Sequence, residues 1–148
     1  MTTAIHHDQD FYSWAMQTAQ LVREGRLAEI DCEYVAEELE DMGAAKEREL
    51  ESRLGVLMAH LLKWIFQPER RGNSWIATIK EQRQRIVRLL RKNLGLKSCL
   101  DEAFVNGYSD ARLIAVRETN LPERTFPENA PFALGQVLDD AYWPELDG

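Results

Sequence analysis

Apolar residues recur every three or four positions along most of this chain, and no segment shows the sustained alternation of a half-buried strand. Such spacing places apolar side chains on one side of a helix, so the pattern predicts five helices. The predicted helices cover residues 10–24, 31–42, 44–67, 74–92 and 98–119. Gly25, Gly43 and Pro68 mark three of the predicted ends. The connections are short, which favours antiparallel neighbours and indicates an all-α helical bundle.

The first two predicted helices each carry one apolar face, which we expect to lie in the core. The first face includes Phe11, Trp14, Leu21 and Val22, and the second includes Cys32, Val35, Leu39 and Met42. Because the two faces follow each other closely in sequence, the pattern predicts that they pack as part of the same bundle.

The chain has 148 residues, a length that suits one domain, so we predict a single domain over residues 1–148. Residues 1–9 are predicted to be disordered or loosely ordered. Residues 121–148 combine four prolines with aromatic side chains and are too apolar for a free linker. We therefore predict that residues 121–148 form an arm packed on the bundle.

Neither a targeting segment nor a membrane span is expected. The first residues contain no basic region followed by an apolar one, so they do not predict a secretory signal. The most apolar stretch, residues 56–66, is well short of the roughly 20 residues that a membrane-spanning helix needs. The predicted location is the cytoplasm, without contact with a membrane.

Charge is distributed unevenly along the chain, whose net charge is −7. Residues 63–97 carry 10 basic and 2 acidic side chains, whereas residues 1–51 carry 4 basic and 13 acidic ones. Residues 98–148 are also acidic, with 3 basic and 10 acidic side chains. This pattern predicts that the basic strip in residues 74–92 is neutralised within the chain, so nucleic acid is not an expected partner.

A polar cluster is predicted inside the bundle. At 100° per residue, Gln82 and Arg83 fall within the apolar arc of their helix. A buried guanidinium needs a carboxylate partner, and Glu38 and Asp110 each flank an apolar face. His60 lies at the edge of the apolar stripe of the third predicted helix. The five residues form a candidate site whose role, structural or functional, the sequence leaves open.

Arg53 and His60 are the candidates for catalysis, seven residues apart on one side of a predicted helix. Their spacing is similar to the Arg-x4–6-His pattern of the HEPN ribonuclease superfamily, which implies a metal-independent, toxin-like ribonuclease as an alternative. The polar residue that typically follows the arginine in that pattern is replaced here by Leu54.

No other catalytic pattern occurs. Phosphate-binding glycine loops, nucleophile elbows and zinc-protease motifs are absent, and so is the Glu-x-x-His pair of di-metal bundles. His6, His7 and Asp8 could hold a metal ion, but three ligands near a terminus do not predict a site. We therefore predict neither a metal nor a cofactor, and a small-molecule or metal-binding bundle is the weaker alternative.

Several short motifs resemble a small bacterial family, common in cyanobacteria and proteobacteria, known as domain of unknown function family 29. The most specific motifs are His60-Leu-Leu-Lys-Trp64, Gln67-Pro-Glu-Arg-Arg71 and Ser74-Trp-Ile-Ala-Thr-Ile79. The resemblance extends from Asp10 to about Glu145 and implies an all-α fold, with no known activity, substrate or cofactor. Taken together, the sequence predicts a cytoplasmic helical interaction domain of unknown biochemical function, with a protein partner or as a homo-oligomer.

Overall fold

Helices account for most of the chain in the computed structural model, which describes residues 5–145. The five α-helices are α1 (Phe11–Arg23), α2 (Cys32–Phe66), α3 (Asn73–Lys92), α4 (Leu100–Thr119) and α5 (Leu134–Leu138). No strand occurs within residues 5–145, so the predicted all-α class is confirmed. No helix in this range is both long enough and apolar enough to span a membrane.

Two compact units divide the chain, Met1–Gly43 and Ala44–Gly148. The prediction of a single domain stays a prediction. Residues 1–4 of the N-terminus that we predicted to be loosely ordered lie outside the described residues. Likewise, residues 146–148 of the predicted arm are not described.

The first unit contains α1 and the first turns of α2. The Asp10 carboxylate accepts a hydrogen bond from the Ser13 N–H at 3.0 Å, which caps α1. Gly25 follows the helix with a φ of +71°, a conformation that favours glycine. Trp14 is the buried side chain of α1, and its ring packs edge-on against Tyr34 of α2. On the side of α1 opposite Trp14, the side chains of Tyr12 and Met16 are exposed.

Helix α2 passes through Gly43 without a break, so the predicted end at Gly43 is wrong. A glycine inside a helix costs only about 1 kcal/mol relative to alanine. The residues around Gly43 supply alanines and charged side chains that favour a helix, and they offset this cost. The second and third predicted helices are therefore one helix of 35 residues.

The core of the second unit is built from the C-terminal half of α2, from α3 and α4, and from the arm. Its fully buried side chains include Leu50, Leu54, Leu57, Leu61, Ile79, Ile86, Ala111, Phe126 and Val137. Helices α2 and α4 pack closely at Gly55 and Gly107. A Cβ atom on Gly107 would lie 3.1 Å from the Glu51 carbonyl oxygen, so this close contact favours glycine.

The proline-rich arm packs on this core, as the sequence predicts. Phe126 contacts Phe66 edge-to-face at 5.5 Å between ring centroids, and Trp143 lies 4.9 Å from Trp64. The Tyr108 hydroxyl donates to the Pro127 carbonyl oxygen, which ties α4 to the arm. The predicted helices over 74–92 and 98–119 agree with α3 and α4 to within two residues.

Candidate functional site

Arg53 and His60, the candidate catalytic pair, have separate surroundings. The Arg53 Nε atom donates to Glu49 at 3.0 Å, and its Nη1 atom donates to the Gln82 side-chain oxygen at 3.3 Å. His60 is half-buried, with its Nδ1 atom 2.9 Å from the Val56 carbonyl oxygen one turn earlier. Burial lowers the pKa of His60, and the nearby Lys63 charge lowers this pKa further.

These contacts do not place Arg53 and His60 in a shared cleft. Arg53 lines a depression with residues of α3, and His60 is not among the residues that line it. Neutral imidazole suits both the burial of His60 and a hydrogen bond from Nδ1 to the Val56 carbonyl oxygen. This arrangement gives no support to the ribonuclease alternative.

Arg83 is the most deeply buried charged residue described, with 1% of its surface exposed. Its Nε atom donates to the Val137 carbonyl oxygen at 2.8 Å, and its Nη2 atom donates to the Tyr142 carbonyl oxygen at 2.8 Å. A longer contact of 3.4 Å joins Nη2 to the Gln136 carbonyl oxygen. The guanidinium also lies 5.6 Å from the centre of the Trp143 ring. Arg83 thus fastens the C-terminal arm to α3.

Carbonyl oxygens replace the carboxylate partner that the sequence predicts for Arg83. No carboxylate within residues 44–145 lies within ion-pair distance of it, although Asp140 and Asp139 are close enough to favour its charge. Burial nevertheless lowers the pKa of Arg83, because desolvation outweighs those charges. Within this unit, Asp110 is therefore not the partner of Arg83, and pairing with Glu38 of the first unit stays a prediction.

The other members of the predicted polar cluster have different contacts. Gln82 is half-buried and bonds to Arg53 rather than to Arg83. Asp110 is exposed, because its position on α4 points it to the rim of a depression rather than into the core. Glu38 is half-buried and lies in the first unit. A buried polar residue that sequence reasoning missed is Lys63, whose Nζ atom lies 2.7 Å from Glu118.

The exposed side of α3 carries five cations that we call the basic face of α3. They are Lys80, Arg85, Arg88, Arg91 and Lys92. Within residues 44–145, only Arg85 forms an ion pair, with Glu81 one turn earlier in the same helix. The predicted neutralisation of this strip by acidic segments is therefore not seen as ion pairs within that range. Two depressions of about 200 and 190 Å³ lie along this face, and Arg88 lines both.

Helix α1 exposes large apolar side chains, and the sequence predicts two of them, Phe11 and Val22, for the core. Four of them form what we call the outer face of α1, namely Phe11, Tyr12, Met16 and Val22. Tyr12 is 74% exposed and Met16 is 57% exposed, which is unusual for such large apolar groups. The core prediction is wrong for Phe11 and Val22, because a two-helix unit has room to bury only one side of α1, the side of Trp14.

Helix α2 also exposes residues that the sequence predicts for the core, within the first unit. Leu39 and Met42, both predicted for the core, are about two-thirds exposed. Helix α1 has no acidic side chain and a single basic one, Arg23, at its last position. A helix that is apolar on several sides is normally covered on all of them. The outer face of α1 is therefore the surface of this chain that most clearly lacks a partner among the described residues.

His6, His7 and Asp8 bring their potential ligand atoms within 4.8 Å of one another. The Nδ1 atom of His7 lies 3.0 Å from the Asp8 carboxylate, and its ring stacks on Tyr34 at 3.4 Å between centroids. Both contacts orient the His7 ring. The prediction that the chain has no metal site stays a prediction.

Comparison with known proteins adds one finding. A family model described as "Domain of unknown function DUF29" matches residues 6–143, which is nearly the whole chain. No curated protein matches the chain, and no solved structure does. The motifs around His60, Gln67 and Ser74 lie inside the matched range.

Proposed function

This chain belongs to the family of the domain of unknown function DUF29, whose description gives no activity. From the geometry of the chain, we propose that it is a helical interaction domain. The outer face of α1 binds an amphipathic helix of another protein, and that helix carries basic residues beside its apolar side. The observation that supports this proposal is the exposure of Phe11, Tyr12, Met16 and Val22 on one 13-residue helix. The predicted cytoplasmic location is part of the proposal.

Apolar exposure on this scale favours a docking surface. Single exposed apolar residues are normal on protein surfaces, but neighbouring ones on a helix mark a site of association. Tyr12 and Met16 are one turn apart, so their side chains lie side by side along α1. A partner helix could cover them with residues one turn apart on its own apolar side, as in the packing of two helices.

The charge of the first unit supports a basic partner. Residues 5–43 carry ten acidic side chains and two basic ones. A second copy of this unit would bring the same negative charge to the interface, so like charges would oppose self-association. A helix with lysine and arginine beside its leucines would instead be attracted, and it would associate faster at low salt. We therefore assign the surface to a basic partner and not to a second copy.

A synthetic peptide provides the test, since its sequence can be designed. The probe is a fluorescent helix of about five turns with leucine on one side and lysine and arginine on the other. We expect saturable binding to the full chain that weakens as salt rises. The double variant Tyr12→Ser/Met16→Ser should lose at least about tenfold in affinity, because it removes the apolar contact area.

Matched controls separate this surface from general stickiness. Val105 and Leu113 are exposed apolar residues of α4, so Val105→Ser/Leu113→Ser removes a similar apolar area elsewhere and should leave binding unchanged. A peptide with glutamate in place of the basic residues should not bind. Equal losses for both double variants would overturn the proposal. Sedimentation showing a dimer that Tyr12→Ser/Met16→Ser converts to a monomer would also overturn it, since the occupant would then be a second copy.

A further inference from the structure

One buried donor of Arg83 has no acceptor in the protein. A guanidinium has five N–H groups, and those of Nε and Nη2 are directed at the three carbonyl oxygens of the arm. The Nη1 atom is buried and has no hydrogen-bond partner among the described residues. A buried cationic donor without an acceptor is costly, so this position calls for an acceptor.

Arg83 lines the second depression of the basic face, which measures about 190 Å³. Two further arginines, Arg88 and Arg91, line it as well, and neither pairs with a carboxylate within residues 44–145. Asp140 is the one acidic residue at this depression. Three arginines that line one small depression bring like charges together, and a bound anion would offset part of that charge.

We propose that this depression is an oxyanion site for a phosphate group. Arg88 and Arg91 supply charged donors from the exposed side, and Arg83, whose buried Nη1 atom lacks an acceptor, adds its positive charge at the same depression. Guanidinium groups are suited to this role, because their planar forks match the oxygens of phosphate. The Asp140 carboxylate opposes the anion and keeps its affinity moderate. This site is independent of the outer face of α1, and it lies in the other unit of the chain.

Inorganic phosphate is the first probe, titrated into the full chain by calorimetry at constant ionic strength with chloride as the reference anion. We expect saturable binding and a rise of the melting temperature that chloride does not reproduce. Glycerol phosphate forms the second arm of the experiment. If it binds at least as tightly as inorganic phosphate, the source of the anion is a phosphate monoester, and if it does not bind, the source is free phosphate. Absence of saturable binding for both anions would overturn the proposal.

Substitutions on one helix make the test specific, because Arg83 itself also holds the arm. Arg91→Gln removes one charge from the depression, whereas Arg85→Gln removes one charge from the same helix outside it. We expect Arg91→Gln to weaken phosphate binding about tenfold or more, since it deletes a charged hydrogen bond. Arg85→Gln should change binding by less than about twofold, because its charge is screened. Equal effects of the two variants would show binding to general positive charge and would overturn the proposal.

Asp140 allows a test in the opposite direction. Asp140→Asn should tighten phosphate binding, because it removes the opposing carboxylate at the depression. Glu128→Gln changes the net charge by the same amount at an exposed position of the arm that does not line this depression, and it should leave the affinity unchanged. Weaker binding by Asp140→Asn, or equal tightening by both variants, would contradict the site.

Discussion

Replacing Arg83 tests whether the C-terminal arm depends on one side chain. Arg83→Met keeps an apolar stem of similar length but removes the guanidinium from the carbonyl oxygens of Val137 and Tyr142, both at 2.8 Å. Hydrogen bonds to a charged group contribute about 1.5–3 kcal/mol each. The variant also removes the desolvation cost of a buried charge, which offsets part of that loss. We therefore expect the free energy of unfolding to fall by about 2–4 kcal/mol.

Calorimetry and urea unfolding measure this change directly. For a chain of this size, 1 kcal/mol corresponds to roughly 2–4 °C in melting temperature, so Arg83→Met should melt roughly 4–16 °C lower. The control is Arg85→Met, because the Arg85 side chain is about half exposed and its ion pair with Glu81 is worth less than about 1 kcal/mol. A loss below about 0.5 kcal/mol for Arg83→Met would refute the view that this residue fastens the arm.

Three further predictions concern packing, pH and the outer face of α1. Gly43→Ala should stabilise α2 by about 0.5–1 kcal/mol, since nothing lies within 4 Å of a Cβ atom at this position. Gly107→Ala should destabilise the folded chain, because its Cβ atom would lie 3.1 Å from a backbone oxygen of α2. Urea unfolding measures the free energy of unfolding of both variants. Because burial lowers the pKa of His60 in the folded chain, the unfolded chain takes up a proton at higher pH than the folded chain does. The free energy of unfolding should therefore fall as pH drops below about 6.5. His60→Gln should reduce this dependence of stability on pH. Finally, Tyr12→Ser/Met16→Ser should leave the melting temperature within about 2 °C of the unsubstituted chain, since both side chains are exposed.

Helical periodicity predicts the elements of this fold well where an apolar stripe meets a clear stop. Pro68 cannot continue a helix in the usual way, and α2 ends at Phe66, two residues earlier. Gly43 is a weaker signal, because glycine only lowers helix stability, and here the neighbours keep α2 intact. The all-α class could therefore be predicted, whereas the join between the second and third predicted helices could not.

At the candidate site, the sequence predicts which side of α3 Arg83 lies on, but it does not predict the hydrogen-bond acceptors of Arg83. Rotation along α3 predicts that Arg83 points inward, and the structure buries it. Its acceptors are main-chain carbonyls of the arm, and every residue carries such a group, so side-chain identity contains no signal for them. For this reason the sequence favours a carboxylate such as Glu38 or Asp110 as the partner.

Exposure of the outer face of α1 could not be predicted for a related reason. Periodicity shows that Phe11 and Val22 lie on one side of a helix, but it does not show whether another element of the chain covers that side. Within the first unit, Trp14 occupies the available contact with Tyr34. The apolar pattern thus correctly predicts the helix. No described residue of this unit covers the exposed apolar side of that helix.

The most direct test of the interaction domain is hydrogen exchange with the basic leucine-rich peptide bound. We predict slower exchange in the amides of α1, residues 11–23, because a docked helix would suppress local opening there. Amides of α3 should exchange at the same rate with and without the peptide, since its basic face would repel a basic helix. Unchanged exchange in α1 at saturating peptide, or protection confined to α3, would contradict the assignment of the outer face of α1 as the binding surface.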